Sequence, residues 1–90
     1  MVRDMTLNEL RTQIDGIDNE LAALFVRRME LVKKVAEAKR GGVAVLDTTR
    51  EFQVRGQFLS QIPPELEKYA NALLDTLLAV SRNYQNELLL

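Results

Sequence analysis

Arg28, Lys39 and Arg50 are cations set among apolar neighbours, and the chain adds to them the neutral hydrogen-bonding side chains Ser81 and Gln85 and the carboxylate Glu51. A charge in apolar surroundings calls for a partner of opposite sign. Such a constellation suits a small dianion. The chain has no histidine and no cysteine, which removes the commonest general base, the commonest metal ligand, thiolate nucleophiles and disulfides. Any chemistry must manage without imidazole or thiolate.

The elements that position these residues are helices. Leu7, Leu10, Ile14, Ile17, Leu21, Leu24, Leu31, Val35 and Ala38 recur at alternating three- and four-residue spacing, which predicts one continuous helix from about residue 7 to about residue 40 with an apolar seam. Thr6 and Glu9 have capping-box spacing at its start, and Gly41-Gly42 ends it just after Lys39 and Arg40. Residues 43–46 form a short apolar connector. Asp47 or Thr48 then caps a second helix at about 48–61, with Thr48 and Glu51 again at capping-box spacing. Pro63-Pro64 breaks the chain, and Pro64, Glu65 and Glu67 suit the first turn of a third helix. Its apolar stripe is read as Tyr69, Leu73, Leu77, Val80, Tyr84 and Leu88. The expected fold is all-α, a single domain over residues 1–90 with a long, a short and a long helix, and without internal repeats.

Length decides the expected oligomeric state. A helix over residues 7–40 is about 50 Å long at 1.5 Å per residue. A compact globule of this chain length has a radius of gyration near 12 Å and a diameter of roughly 30 Å. The seam outruns its own domain, and the simplest cover is a second copy in an intertwined homodimer. Arg28 and Lys39 are about 16 Å apart along the helix axis, a gap that two long side chains and a ligand can span. Arg11, about 42 Å from Lys39, is beyond reach. If Arg11 serves the same ligand, it comes from the other chain.

Each of these residues also has a plainer reading. Helix phase drifts about 20° per heptad, so Arg28 can lie at the edge of the seam and extend its guanidinium to water. Arg11 can pair with Asp15 one turn on, and Lys39 suits the negative end of a helix. Ser81 and Gln85, one turn apart, can mark a wet edge of the bundle. Asp47, Arg50 and Glu51 open the second helix, where capping is an ordinary role.

Ninety residues, 47% hydrophobic and 28% charged with a net charge of -1, describe a soluble protein without the electrostatic footprint that nucleic acid or an anionic membrane would demand. No apolar run reaches the length of a membrane span, and the N-terminus lacks a secretion signal's apolar stretch. The expected compartment is the cytoplasm.

The pattern Leu10-Arg11-x-x-Ile14-Asp15-x-Ile17-Asp18-x-x-Leu21, then Arg28, then Val35-Ala36-x-Ala38-Lys39 resembles the first helix of the all-helical chorismate mutases. Val45-x-Asp47-x-x-Arg50-Glu51 is similar to the start of that family's second helix, and Ser81-x-x-x-Gln85 to its third-helix site. The resemblance covers nearly the whole chain. It implies conversion of chorismate, a dicarboxylate, to prephenate in phenylalanine and tyrosine biosynthesis. This intramolecular [3,3] rearrangement needs no nucleophile, metal or cofactor. It further implies that Arg28 and the partner subunit's Arg11 grip carboxylates and that Lys39 and Gln85 donate to the ether oxygen. Glu51, with backbone near Asp47, would hold the ring hydroxyl; Ser81 would assist a carboxylate and Arg50 would support that corner. The Gly41-Gly42 connector and the stretch between the second and third helices are slightly shorter than is usual in the family, which bears on Asp47 and Arg50.

Two other functions fit the same residues. A pyruvate lyase acting on isochorismate resembles the mutases in fold and cationic site, and a catalytically silent helical module could dimerise or regulate a larger enzyme. A purely structural seam has no need of Arg28. The Met1 start and compact length are read as a free-standing enzyme.

Overall fold

The computed structural model describes residues 4–90; Met1, on which the expectation of a free-standing enzyme partly rests, lies outside them. The described residues form three α-helices and no strand. Helix α1 is Leu7–Ala38, α2 is Thr48–Leu59 and α3 is Glu67–Leu88, the last preceded by a 3-10 turn at Pro64–Leu66.

The ends of α1 follow from local chemistry. The Thr6 Oγ1 accepts the Glu9 N–H at 3.2 Å and its hydroxyl donates to the Glu9 carboxylate at 3.0 Å, so the cap satisfies one of the helix's orphan donors. At the other end the helix stops at Ala38, two residues before the expected end. There the Lys39 N–H is shared between the Val35 and Ala36 carbonyls, and the Arg40 N–H reaches Glu37. Gly41 and Gly42 follow at φ +105° and +112°, a conformation that a Cβ disfavours and that only glycine adopts readily.

Asp47, not Thr48, caps α2: its backbone is extended and its Oδ1 accepts the Arg50 N–H at 2.9 Å. The capping box expected of Thr48 and Glu51 does not form, because the Glu51 carboxylate is bonded to Arg82 on α3. The helix ends at Leu59, short of the expected 61, where the Gln61 and Ile62 N–H groups turn to carbonyls three residues back. Pro63 is extended, and the Leu66 N–H bonds to its carbonyl to close the turn. Pro64 opens that turn, where its missing N–H goes unneeded.

Contacts divide the chain into two compact units, one ending at Leu31 and the other Val32–Leu90, with α1 running through both. In the first unit the seam residues Leu7, Leu10, Ile14, Ile17, Leu21, Leu24 and Leu31 are all exposed. In the second, the buried apolar residues are Val32, Ala36, Ala70, Leu74 and Leu78. A core that small leaves a chain of this length marginal by itself.

The buried face of α3 corrects the expected stripe. Ala70, Leu74, Leu78, Ser81 and Gln85 are buried, whereas Tyr69 and Leu73 remain 65% and 52% exposed. The two columns are one residue, or about 100°, apart. Leu73-Leu74 and Leu77-Leu78 are doublets, so both columns are apolar and the spacing does not distinguish the covered one.

Helix α2 has no fully buried residue and is joined to α3 by two sets of polar ties. Glu51 on α2 pairs with Arg82, while Arg55, one turn further along α2, reaches back to Asn71 and Asp75. Forward along α2 is therefore backward along α3, and the two helices run antiparallel.

Candidate active site

Six of the eight expected site residues belong to the second unit. The first of them, Lys39, lies just past the end of α1, half-buried, and its Nζ donates to the Val45 carbonyl at 2.8 Å. An ammonium carries three donors, so two N–H groups are left for a ligand. The bond also fixes the connector two residues before Asp47. There the Asp47 carboxylate is engaged as the α2 cap, which makes capping its observed role.

Glu51, one turn into α2, is half-buried, and both of its oxygens accept from Arg82 Nη1, at 2.6 and 2.7 Å. Arg82 follows Ser81 directly, so this pair brings the start of α2 to the part of α3 that carries Ser81 and Gln85. Arg50 directly precedes Glu51 on α2. It is exposed and lines a groove of about 460 Å³ along α2 with Gln53, Val54, Gln57, Phe58 and Gln61.

Ser81 and Gln85 are both buried on α3. The Ser81 hydroxyl donates to the Leu77 carbonyl at 2.8 Å. The Gln85 Nε2 donates to the Ser81 carbonyl at 3.3 Å, and its Oε1 is buried with no hydrogen-bond partner. An orphaned acceptor in a buried amide is costly and uncommon in native proteins. The second N–H of the amide is available as a donor as well. A buried amide with unused capacity on a packed face is placed to meet a polar ligand.

A chain of bonds and sequence neighbours thus joins Lys39 through Val45 to Asp47, then Glu51 through Arg82 to Ser81 and Gln85. Arg11 and Arg28 belong to the first unit. Arg11 is exposed and Arg28 half-buried, both on α1.

Arg82 was not among the residues singled out from the sequence. The available signal was a third polar side chain within the Ser81–Gln85 turn, but its partner Glu51 is 31 residues away, beyond any rule of helical spacing.

Residues 10–86 match the family described as chorismate mutase type II, and the chain belongs to that family. It is accordingly an isomerase of chorismate to prephenate. The match takes in every expected site residue from Arg11 to Gln85. No curated protein and no solved structure gives a significant match. Among the described residues no helix is long and apolar enough to cross a membrane.

Proposed function

We propose that the chain acts as one mutase domain in an intertwined cytoplasmic homodimer, supplying prephenate for phenylalanine and tyrosine biosynthesis, with each site shared between two chains. The observation that carries this reading is the exposed seam of α1. From Leu7 to Leu31 its apolar positions are uncovered, and burying them is worth about 25 cal/mol per Å². A second copy laid along the same seam is the symmetric solution. Arg11, which a continuous helix would carry about 42 Å from Lys39, then serves the partner's site and not its own.

The rearrangement breaks an ether C–O bond and forms a C–C bond within one molecule. What a protein contributes is the reactive conformer and donors aimed at the oxygen where charge develops. Lys39, with two N–H groups to spare, and Gln85, with one, are those donors in this reading. Arg28 and the partner subunit's Arg11 hold the two carboxylates, for which planar guanidinium forks are suited. Glu51 and the backbone near Asp47 hold the ring hydroxyl, Ser81 assists a carboxylate, and Arg50 supports the corner at the start of α2. No cofactor enters this scheme.

The test supplies chorismate and isochorismate separately and assays prephenate and free pyruvate. Prephenate from chorismate is expected. Pyruvate from isochorismate without prephenate from chorismate would assign the lyase reaction instead, and a protein that neither binds nor converts chorismate would leave only a structural module.

A further inference from the structure

Helices α2 and α3 are tied together twice. Arg55 Nη1 donates to Asn71 Oδ1 at 2.8 Å and its Nη2 to Asp75 Oδ1 at 2.5 Å, and Arg82 holds Glu51 in the opposite sense, the guanidinium now on α3. The two ties differ in setting. The Asp75 side chain is 66% exposed, whereas Glu51 and Arg82 are 24% and 32% exposed. The Arg55 tie already fastens the helices along their antiparallel run, and it touches no residue of the candidate site. The Arg82 tie ends on one.

We propose that Arg82 is a positioning residue that holds the Glu51 carboxylate in the orientation in which it accepts the ring hydroxyl of the substrate. This rests on the mutase reading and on the role that reading gives Glu51. A single nitrogen, Nη1, bridges both carboxylate oxygens, which restricts the twist of the group about its last torsion. An ionised carboxylate offers about four acceptor sites, so the bridge leaves each oxygen free lone pairs for a hydroxyl donor. Helix α2 buries no residue fully and the neighbouring Phe52 is 81% exposed, so the Arg82 bridge is the polar contact that orients this carboxylate. Arg82 also lies between Ser81 and Gln85 on the same turn of α3, so it couples the Glu51 carboxylate to the helix that carries both of them.

The experiment is a double-mutant cycle on the full chain. Arg82→Gln, Glu51→Gln and the double variant are assayed for kcat and KM with chorismate, alongside Arg82→Lys and, as a control for the other tie, Asp75→Asn. Thermal midpoints are measured for all of them. Arg82→Gln is expected to lower kcat/KM by about tenfold or more, the scale of a charged hydrogen bond. In the Glu51→Gln background the same change should cost less than about twofold, because residues acting through one another are not additive. Arg82→Lys should recover part of the loss. Asp75→Asn should lower the thermal midpoint while leaving kcat/KM within about twofold, the usual margin for an independent site.

Additive losses from Arg82→Gln and Glu51→Gln overturn the assignment, as does an Asp75→Asn variant that loses activity in step with its stability. Should Arg82→Gln fail to fold, the cycle is run with Arg82→Lys and read the same way. If the wild-type chain forms no prephenate, the mutase reading fails and takes the role of Arg82 with it. An active wild type with additive losses removes Arg82 alone.

Discussion

The Lys39 ammonium donates to the Val45 carbonyl at 2.8 Å, so the cation at the end of α1 also anchors the connector that leads to the α2 cap. One side chain then has two tasks. In the proposed mechanism it offers its remaining donors to the substrate, and in the fold it fixes the stretch of chain from which Asp47 and Glu51 follow. Lys39→Ala should lower kcat by about 10² or more, the usual cost of removing one donor to developing negative charge. Steady-state kinetics with chorismate check this, and an unchanged rate removes Lys39 from the mechanism.

Arg28 presents a planar fork where a lysine would present a point charge. Arg28→Lys keeps the charge but loses bidentate geometry. The expected outcome is a fall in kcat/KM of at least tenfold, on the scale of one charged hydrogen bond. Kinetics as good as wild type would show that only the charge is used.

The chain has no histidine, the side chain that ordinarily titrates near neutrality, and the proposed donor Gln85 does not ionise. Activity should vary little around neutral pH. Gln85→Glu places a carboxyl group there that donates only when protonated. That variant should be weak at neutral pH and gain activity as the pH falls, in the direction of the protonated donor. A pH–rate profile of wild type and variant checks both statements; a steep acid-side optimum in the wild type would contradict the role given to Gln85.

Gly41 and Gly42 both lie in the positive-φ region, and a Cβ built on either meets nothing within 4 Å. The cost of Gly41→Ala or Gly42→Ala is therefore conformational and not steric against neighbours. Each should destabilise the fold by about 1 to 2 kcal/mol, read as a drop in thermal midpoint of several degrees for a domain of this size.

What could be read from the sequence was what depends on near neighbours. Thr6 with Glu9 and Asp47 with Arg50 are encoded within three residues, and α1 and α2 begin where those residues place them; Pro64 instead opens a 3-10 turn, and α3 starts three residues later at Glu67. The phase of α3 was not readable in the same way, since Leu73-Leu74 and Leu77-Leu78 make two adjacent columns equally apolar and only packing selects Ala70, Leu74 and Leu78. At the candidate site the tie between Glu51 and Arg82 was not legible. The local option for Glu51 was a capping box with Thr48, and a guanidinium from another helix took the carboxylate instead.

In the proposed dimer two chains share each site, with Arg11 crossing to its partner. The most direct measurement mixes Arg11→Ala protein with Lys39→Ala protein, each inactive alone, under conditions that exchange subunits, and then assays prephenate formation. A mixed dimer should hold one intact site and one doubly damaged site, so activity should return, up to about one quarter of the wild-type rate for random pairing of equal amounts in C2 dimers. No activity after verified exchange would contradict the shared site.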